Sequence, residues 1–261
     1  DRPEELYAEA VGNNRIEGRR HTYGWANYQK VYFVIEFSKP FDKFEPIGEN
    51  NWYYRLHFKT AEGEQIGVKV ALSSTSPEGA ELNFNAEVKD KEFDVVRKET
   101  LAKWNKELSK FRIKGATPEQ EEIFYTGVYH MYVATSLFSD VDGTYRGADN
   151  EIHENPGHHT YTTFSLWDTY RAAMPLLSIL QKERMTDIVN TMLNICDEQG
   201  GLPVWHLWGC ETDCMVGNPG IISVADAIVK GDTGIDKERA FEAIKKTAMH
   251  PGRGNNYRIE V

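Results

Sequence analysis

Residues 65–87 read QIGVKVALSSTSPEGAELNFNAE, and the spacing of their apolar side chains changes partway along. The first eight residues alternate between apolar and polar or small side chains, which predicts a β-strand with one apolar face: Ile66, Val68, Val70 and Leu72. From Ser76 to Glu87 the pattern is typical of a short helix. The chain is therefore expected to change from β to α structure near residue 76.

Two earlier stretches are also predicted to be strands. Residues 30–37 are rich in β-branched and aromatic side chains and end before Pro40. Residues 52–58 alternate in part and are followed by a turn at Gly63. Strands with this period and spacing indicate an antiparallel β-sandwich in the first part of the chain.

The residues after the change are predicted to be mainly helical. Residues 93–108 repeat apolar side chains at three- and four-residue steps, and Lys114-Gly115 follows them as a linker. Thr117, Pro118 and Gln120 form a helix start with a capping box. Five helices are expected from there on, at about 117–135, 163–180, 183–198, 222–230 and 236–248, and Pro175 is expected to kink or shorten the second.

Two long loops, at about 137–162 and 199–220, separate these helices, and such loops commonly carry functional sites. The last helix is expected to turn four side chains inward: Ala240, Phe241, Ile244 and Ala248. Residues 256–261 are expected to begin an extended segment, and we expect the chain to be part of a longer protein.

The composition argues against several classes of protein. The chain has 261 residues, of which 40% are hydrophobic and 27% charged, as is typical of a globular protein of one or two domains. Its net charge of -10 argues against nucleic acid or an anionic membrane as the main partner. No apolar stretch is long enough to span a bilayer, and three cysteines do not make a disulfide framework.

The first candidate site lies in FSLWDTYRA, residues 164–172. Trp167, Asp168 and Arg171 lie three and four residues apart, so that on a helix they would converge. A tryptophan ring offers a stacking face to a sugar, a carboxylate accepts hydrogen bonds from its hydroxyls, and a guanidinium donates to its oxygens. The alternative is a core tryptophan with an Asp–Arg ion pair along the helix, which spacing alone slightly favours.

The second candidate site lies in GGLPVWHLWGCETDCMVG, residues 200–217. Its glycines and Pro203 argue against a helix, so Trp205, Trp208 and Glu211 are expected on a rigid loop. These residue types again suit a sugar. The alternative, a tryptophan-rich loop packed under the domain, is equally compatible with the sequence.

Two patterns resemble metal sites but lack features that such sites require. The three candidate zinc ligands are His206, Cys210 and Cys214. They lack both a fourth ligand and the spacing usual for zinc sites. A calcium-binding loop beginning at Asp140 requires glycine at its sixth position, where the chain has Tyr145. An acidic turn is expected there instead, and the spacing predicts no metal ligand in this chain.

Several motifs together resemble those of one family. They are IEGRR, VYFVIEFSKPF, WNKELSKFRIKG, FSDVDGTYRG, FSLWDTYRAAMPL and GGLPVWHLWGCETDCMVG, spread from about Ile16 to Lys230. This set resembles the glycoside hydrolase family 92 α-mannosidases. The resemblance implies a multidomain β + α fold, with part of an antiparallel β-sandwich at 1–75, a helical linker at 76–115, and the first part of an (α/α)6-barrel catalytic domain at 116–261.

The resemblance also implies an activity. Members of the family are exo-acting, inverting, calcium-dependent α-mannosidases, commonly secreted, periplasmic or on the bacterial cell surface. A mannose-containing glycan, with an α-1,2-type or related linkage, is thus the expected substrate. The catalytic acid and base and the main Ca²⁺ ligands are expected beyond residue 261, in the remainder of the catalytic domain, which would be this chain's other partner.

Five residues carry over as substrate-binding candidates. Trp167 and Asp168 match the family's WDT motif, which contributes to the mannose pocket. Glu211 matches an ET pair, for which a pocket or supporting role is expected, and Arg171 and Trp205 are added from their neighbouring positions. Two other hypotheses stay open at this point: a non-catalytic carbohydrate-binding protein that uses the same clusters, and a structural protein in which they are only core.

Overall fold

The structure is a computed structural model that describes residues 2–48, 52–155 and 157–250. The segment 256–261, expected to be extended, lies outside the described residues. The boundaries near residues 75 and 115 stay predictions. Along the described parts of the chain, no helix is both long and apolar enough to cross a membrane.

The first part of the chain forms an antiparallel sheet, as predicted. Four strands lie in the order β1, β2, β3, β6, with bounds Arg2–Val11, Arg15–Tyr23, Gln29–Phe37 and Val68–Ser73. A separate hairpin pairs β4 with β5, at Lys43–Ile47 and Tyr53–His57. Aromatic rings connect this hairpin to the end of β3, since Phe58 just after β5 lies 5.4 Å from Phe37 between ring centroids.

Helix α1, Pro77–Glu87, covers one face of the sheet. Its Phe84 and Ala80 are buried against Val34 and Ala71 of neighbouring strands. The side chain of Ser76 caps the helix by accepting a hydrogen bond from the backbone N–H of Gly79, which satisfies one of the donors left over at a helix start. The change from β to α structure near residue 76 is confirmed.

The apolar face predicted for β6 is the uncovered one. Val68, Val70 and Leu72 are about half exposed, at 53%, 49% and 49%, whereas Ala71 and Ser73 on the opposite face are buried. Alternation fixes which side chains share a face of a strand, but not which face a neighbouring element covers. The buried positions of β6 are small because α1 packs closely on them.

Helices α2, Phe93–Leu108, and α3, Pro118–Val133, match the predicted ranges closely. The capping box is present, since the Thr117 hydroxyl accepts from the Gln120 backbone and the Gln120 side chain accepts from the Thr117 backbone. The rings of Trp104 and Tyr129 pack α2 on α3 with centroids 4.6 Å apart. No side chain of α2 is buried, and Phe93 is 78% exposed.

The prediction of one helix over 163–180 is wrong. Strand β11, Phe164–Ser165, comes first, followed by the short helix α4, Leu166–Thr169, and then by α5, Ala173–Leu180. Thr163 adopts a positive φ of 64°, which a helix interior does not allow. Pro175 lies in the first turn of α5, where its missing N–H costs no helical hydrogen bond, and it therefore produces no kink.

Three further helices agree with their predicted ranges: α6, Lys182–Gln199, α7, Pro219–Val229, and α8, Lys237–Ala248. Gly200 ends α6 with a φ of 92°, and the Asp236 carboxylate caps α8. Together with α5 they enclose the main core, whose fully buried members include Met185, Ile188, Val189, Met192, Leu193 and Leu202.

The inward face expected for α8 is partly wrong. Ala240 is fully buried, but Phe241 is 59% exposed, and Ala248 is exposed as well. Ala243 and Thr247 face the core instead. The Thr247 hydroxyl is useful there because it accepts a hydrogen bond from the backbone N–H of Leu202 at 2.9 Å, just after α6.

The two long loops contain short hairpins. In the first, β7, Ser136–Leu137, pairs with β10, Tyr161–Thr162, and β8, Thr144–Arg146, pairs with β9, Ile152–Glu154. In the second, β12, Trp205–Leu207, pairs with β13, Cys210–Glu211.

The first long loop joins the sheet to the helices through buried polar contacts. Ser73 Oγ and Thr75 Oγ1 donate to Asp140 Oδ2 at 2.8 and 2.5 Å, and Asn83 Nδ2 donates to Asp140 Oδ1 at 2.7 Å. The guanidinium of Arg146 donates to the backbone carbonyls of Ser74 and Thr75 at 2.8 and 3.1 Å. Because both charged side chains are buried and hydrogen-bonded, they fix the position of the loop relative to the sheet.

Candidate functional site

A small three-stranded sheet brings the two candidate stretches together. Its order is β11, β12, β13, so that FSLWDTYRA and GGLPVWHLWGCE become hydrogen-bonded neighbours. In the antiparallel register Ser165 lies opposite Trp205. Directly opposite residues in such a pair point their side chains to the same face. The two candidate stretches are thus adjacent in the structure.

Asp168 is the most accessible carboxylate of this site. It lies in α4, directly after β11, and its side chain is exposed. The Ser165 hydroxyl donates to Asp168 Oδ2 at 2.5 Å, which fixes the carboxylate orientation. The exposed side chain leaves the carboxylate accessible from solvent. An oriented, solvent-facing carboxylate can accept hydrogen bonds from ligand hydroxyls.

Arg171 packs on aromatic rings. Its guanidinium carbon lies 5.1 Å from the ring centroid of Trp167 and 4.8 Å from that of Tyr170, which are cation–π distances. Within the described ranges it forms no ion pair with Asp168, in contrast to the ion pair that spacing favoured. Helix α4 ends at Thr169, so the two residues do not share a continuous helix face.

Glu211 has a supporting position. Its Oε1 accepts from the backbone N–H groups of Trp205, Thr212 and Asp213 at 2.9, 3.0 and 3.0 Å. Its Oε2 accepts from the backbone N–H of Val204 at 2.8 Å. Both oxygens therefore hold the loop that carries Trp205, which agrees with the supporting alternative expected from the sequence.

Opposing effects act on the protonation of Glu211. Burial raises the pKa of the Glu211 carboxyl, and the backbone N–H groups of Val204, Asp213 and Trp205 act in the other direction by stabilising the charged form. The hydrogen-bond pattern contains four donors and no acceptor, so it fits a carboxylate better than a carboxylic acid. A group bound in this way is a poor proton donor to a substrate.

The two tryptophans of the second stretch face different surroundings. The Trp205 ring packs on Trp25, with centroids 4.8 Å apart and planes tilted by 31°. The Trp208 ring instead meets Phe138 edge to face at 5.8 Å. Trp25 and Trp205 lie 180 positions apart, and no pattern in the sequence indicates that they meet.

Trp208 occupies a strained backbone position. Trp208 and Gly209 connect β12 to β13 with φ angles of 51° and 79°, as in a two-residue type I′ turn. The first position of that turn usually holds Asn, Asp or Gly. The Trp208 backbone N–H donates to Thr162 Oγ1 at 2.8 Å, and its side chain lines a cleft of about 510 Å³ together with Phe138 and Asp142.

Side chains that commonly bind metals are dispersed in the described part of the chain. Among residues 2–48, 52–155 and 157–250 there is no group of three or more His, Cys, Asp or Glu side chains placed to hold a metal ion. Asp140 is occupied by hydroxyl and amide donors, which supports the acidic turn over a calcium loop. No disulfide joins the three cysteines, all of which the structure describes.

Comparison with known proteins identifies the family. The model of the glycosyl hydrolase family 92 catalytic domain matches residues 79–260. The chain is 35% identical to the family GH92 α-mannosidase BT3965 from Bacteroides thetaiotaomicron, with a TM-score of 0.86, and the match covers 97% of this chain and 36% of that one. A structure of BT3965 in complex with mannoimidazole matches with 34% identity, a TM-score of 0.85 and coverages of 97% and 35%.

A more distant match is the family GH92 inverting mannosidase BT2199 from Bacteroides thetaiotaomicron VPI-5482, at 27% identity, with a TM-score of 0.76 and coverages of 88% and 33%. This chain spans about a third of the length of each of these solved proteins. No curated protein matches it. Because the family model covers more than half of its residues, the chain belongs to glycosyl hydrolase family 92.

Proposed function

We propose that this chain is part of an exo-acting, inverting, calcium-dependent α-mannosidase that hydrolyses terminal α-mannosides of glycans, of α-1,2-type or related linkage. The family and the similarity to an α-mannosidase of 35% identity support the activity. Inversion is supported by the description of the more distant relative BT2199. The observation that carries the proposal for this chain is the oriented, exposed carboxylate of Asp168 beside Trp167 and the Trp205 loop.

In this proposal the described residues bind the sugar. Asp168 accepts hydrogen bonds from mannose hydroxyls, and Ser165 holds it in the required orientation. Trp167, with Arg171 packed on its ring, and Trp205 supply apolar and donor surface around the sugar. Glu211 fixes the loop that carries Trp205, so it acts as a positioning residue.

The cleavage itself requires two further carboxyl groups. An inverting glycosidase uses one as general acid and one as general base, about 6.5–9.5 Å apart with a water between them. Glu211 is unsuited to either role, since backbone N–H groups occupy both of its oxygens. We therefore propose that the acid and the base, and the ligands of any Ca²⁺, come from residues beyond 261, and we derive no step through the metal.

The same proposal includes the larger architecture. The four-stranded sheet and the β4–β5 hairpin would belong to a β-sandwich, and α3 to α8 would form the first part of an (α/α)6 barrel. The remainder of the catalytic domain would complete the site. We also propose that the enzyme is secreted, periplasmic or on the cell surface. Membership of the family is the only support for this location.

Substitution of Asp168 tests this function in the natural full-length protein. Asp168→Ala should lower kcat/KM for an α-mannoside by at least about 100-fold, because hydrogen bonds to sugar hydroxyls strengthen in the transition state. The unfolding temperature should change little, since the side chain is exposed. Asp90→Ala, at an exposed turn after α1, is the matched control and should keep full activity.

Two results would contradict the proposal. A natural protein that binds mannose in a calorimeter but hydrolyses no α-mannoside would be a carbohydrate-binding protein. Unchanged hydrolysis by the Asp168→Ala variant would show that Asp168 does not bind the substrate.

A further inference from the structure

Trp25 is an exposed aromatic residue in the connection between β2 and β3. Its side chain is 53% exposed, although the connection itself is well fixed. Thr22 Oγ1 donates to Gln29 Oε1 at 2.9 Å across the base of the connection, and Gly24 N–H donates to the Ala26 carbonyl at 3.1 Å within it. A rigid connection that keeps a tryptophan half exposed presents an apolar surface to solvent.

This connection contacts the sugar site through two different strands. The Trp25 ring packs on Trp205 of β12 at 4.8 Å. The backbone N–H of Tyr28 donates to the Cys210 sulfur of β13 at 3.3 Å. The sheet unit is thus held against the same hairpin that Glu211 stabilises, and Trp25 lies at the margin of the candidate site.

A row of contacts leads from Trp25 to Asp168. The Trp25 ring packs on Trp205, Trp205 lies opposite Ser165 in the strand pair, and the Ser165 hydroxyl donates to Asp168. One side chain, that of Trp205, thus stands between Trp25 and the strand that precedes Asp168. A ring so placed is next to the site of the terminal sugar without being part of it.

We propose that Trp25 is a specificity-determining residue that stacks on the second sugar ring of the glycan, next to the terminal mannose bound by Asp168. This inference rests on the proposed function. The Trp25 ring packs on Trp205, and the residue stays 53% exposed, which leaves apolar surface for the apolar face of a pyranose. The sheet unit thereby contributes to substrate selection, while the helical unit binds the terminal sugar.

Two substrates separate this role from the rest of the site. Methyl α-1,2-mannobioside has a second sugar ring, whereas α-mannosyl fluoride has a terminal mannose and no second ring. In the natural full-length protein, Trp25→Ala should lower kcat/KM for the mannobioside about tenfold, mainly through KM, by loss of the stacking contact. The value for the fluoride should stay within about twofold, because the Asp168 end of the site is unchanged.

Further variants control for structural damage. Trp25→Phe keeps a ring and should retain most activity on the mannobioside. Trp25→Leu keeps an apolar side chain against Trp205. If Trp25→Ala has a lowered unfolding temperature, Trp25→Leu takes its place in the comparison of the two substrates. Trp52→Ala, at a residue 43% exposed before β5, is the matched control and should affect neither substrate.

The outcomes are distinct. Equal losses on both substrates would overturn the inference in favour of a purely structural role for Trp25, and no loss on either would overturn it because Trp25 would then contact no sugar. If the natural protein hydrolyses neither substrate, the proposed function fails, and the inference fails with it. Hydrolysis of both substrates with an unchanged Trp25→Ala variant overturns the inference alone.

Discussion

Replacement of Glu211 by glutamine should loosen the loop that carries Trp205. The carboxylate accepts four backbone N–H groups, three at Oε1 and one at Oε2. A glutamine can place its carbonyl oxygen where Oε1 lies, but its NH₂ group then faces the backbone N–H of Val204. A buried donor left without an acceptor costs about 1–3 kcal/mol.

The loss of stability in the Glu211→Gln variant should be measurable as faster amide hydrogen exchange in a peptide that covers residues 203–214. Local opening that becomes easier by about 1–3 kcal/mol speeds exchange about 5- to 150-fold at constant pH. Mass spectrometry of the natural full-length protein measures this change locally, whereas global unfolding of a large protein does not resolve it. Glu242→Gln, at an exposed position of α8, is the control and should leave exchange in this peptide unchanged.

The reasoning is refuted if Glu211→Gln leaves exchange over 203–214 as slow as in the natural protein, since the four hydrogen bonds would then not hold the loop. It is also refuted if Glu242→Gln speeds exchange there as much. An activity loss without a change in exchange would instead give Glu211 a direct role at the substrate.

Two further substitutions test features outside the sugar site. Asp140→Asn should lower the stability of the joint between sheet and helices by about 1–3 kcal/mol, because its NH₂ group would face one of the donors that now bind the carboxylate. Amide hydrogen exchange in residues 72–75 should then be faster in Asp140→Asn than in the control variant Asp142→Asn, which alters an exposed residue. Trp208→Asn should unfold at a clearly higher temperature than Trp208→Val, since both variants lose the aromatic ring but asparagine relieves about 1–2 kcal/mol of left-handed strain. Trp208→Val keeps the strain and loses the ring, so it should unfold at a clearly lower temperature, and equal midpoints for the two variants would contradict the argument.

Local signals in the sequence predicted most of the helices. The capping box at Thr117, the Asp236 cap and the left-handed Gly200 all lie where the sequence places a helix end. Such signals depend on side chains within a few residues of each other, so a single sequence contains them. Strand β3 was predictable for the same reason, since β-branched and aromatic residues are concentrated in it.

Contacts between distant residues account for the errors. The stretch 163–180 has a helical spacing, but pairing of Phe164 with His206 and burial of the Phe164 side chain make its first residues a strand. No local pattern contains a partner 42 residues away. The inward face of α8 was partly misjudged in a similar way, because periodicity groups side chains on a face without identifying the neighbour that covers it.

The sequence also could not assign different roles to the two carboxylates of the site. Both Asp168 and Glu211 lie beside tryptophans, and by residue type either could bind a hydroxyl or transfer a proton. Their surroundings separate them, since Glu211 is surrounded by backbone N–H donors, whereas Asp168 has one hydroxyl partner and an open side. A carboxylate enclosed by donors maintains the shape of a loop, and an exposed, oriented one can bind a ligand. Under the proposed function, Asp168 would contact the sugar directly, whereas Glu211 would act through the Trp205 loop, which its backbone hydrogen bonds hold and which pairs with β11.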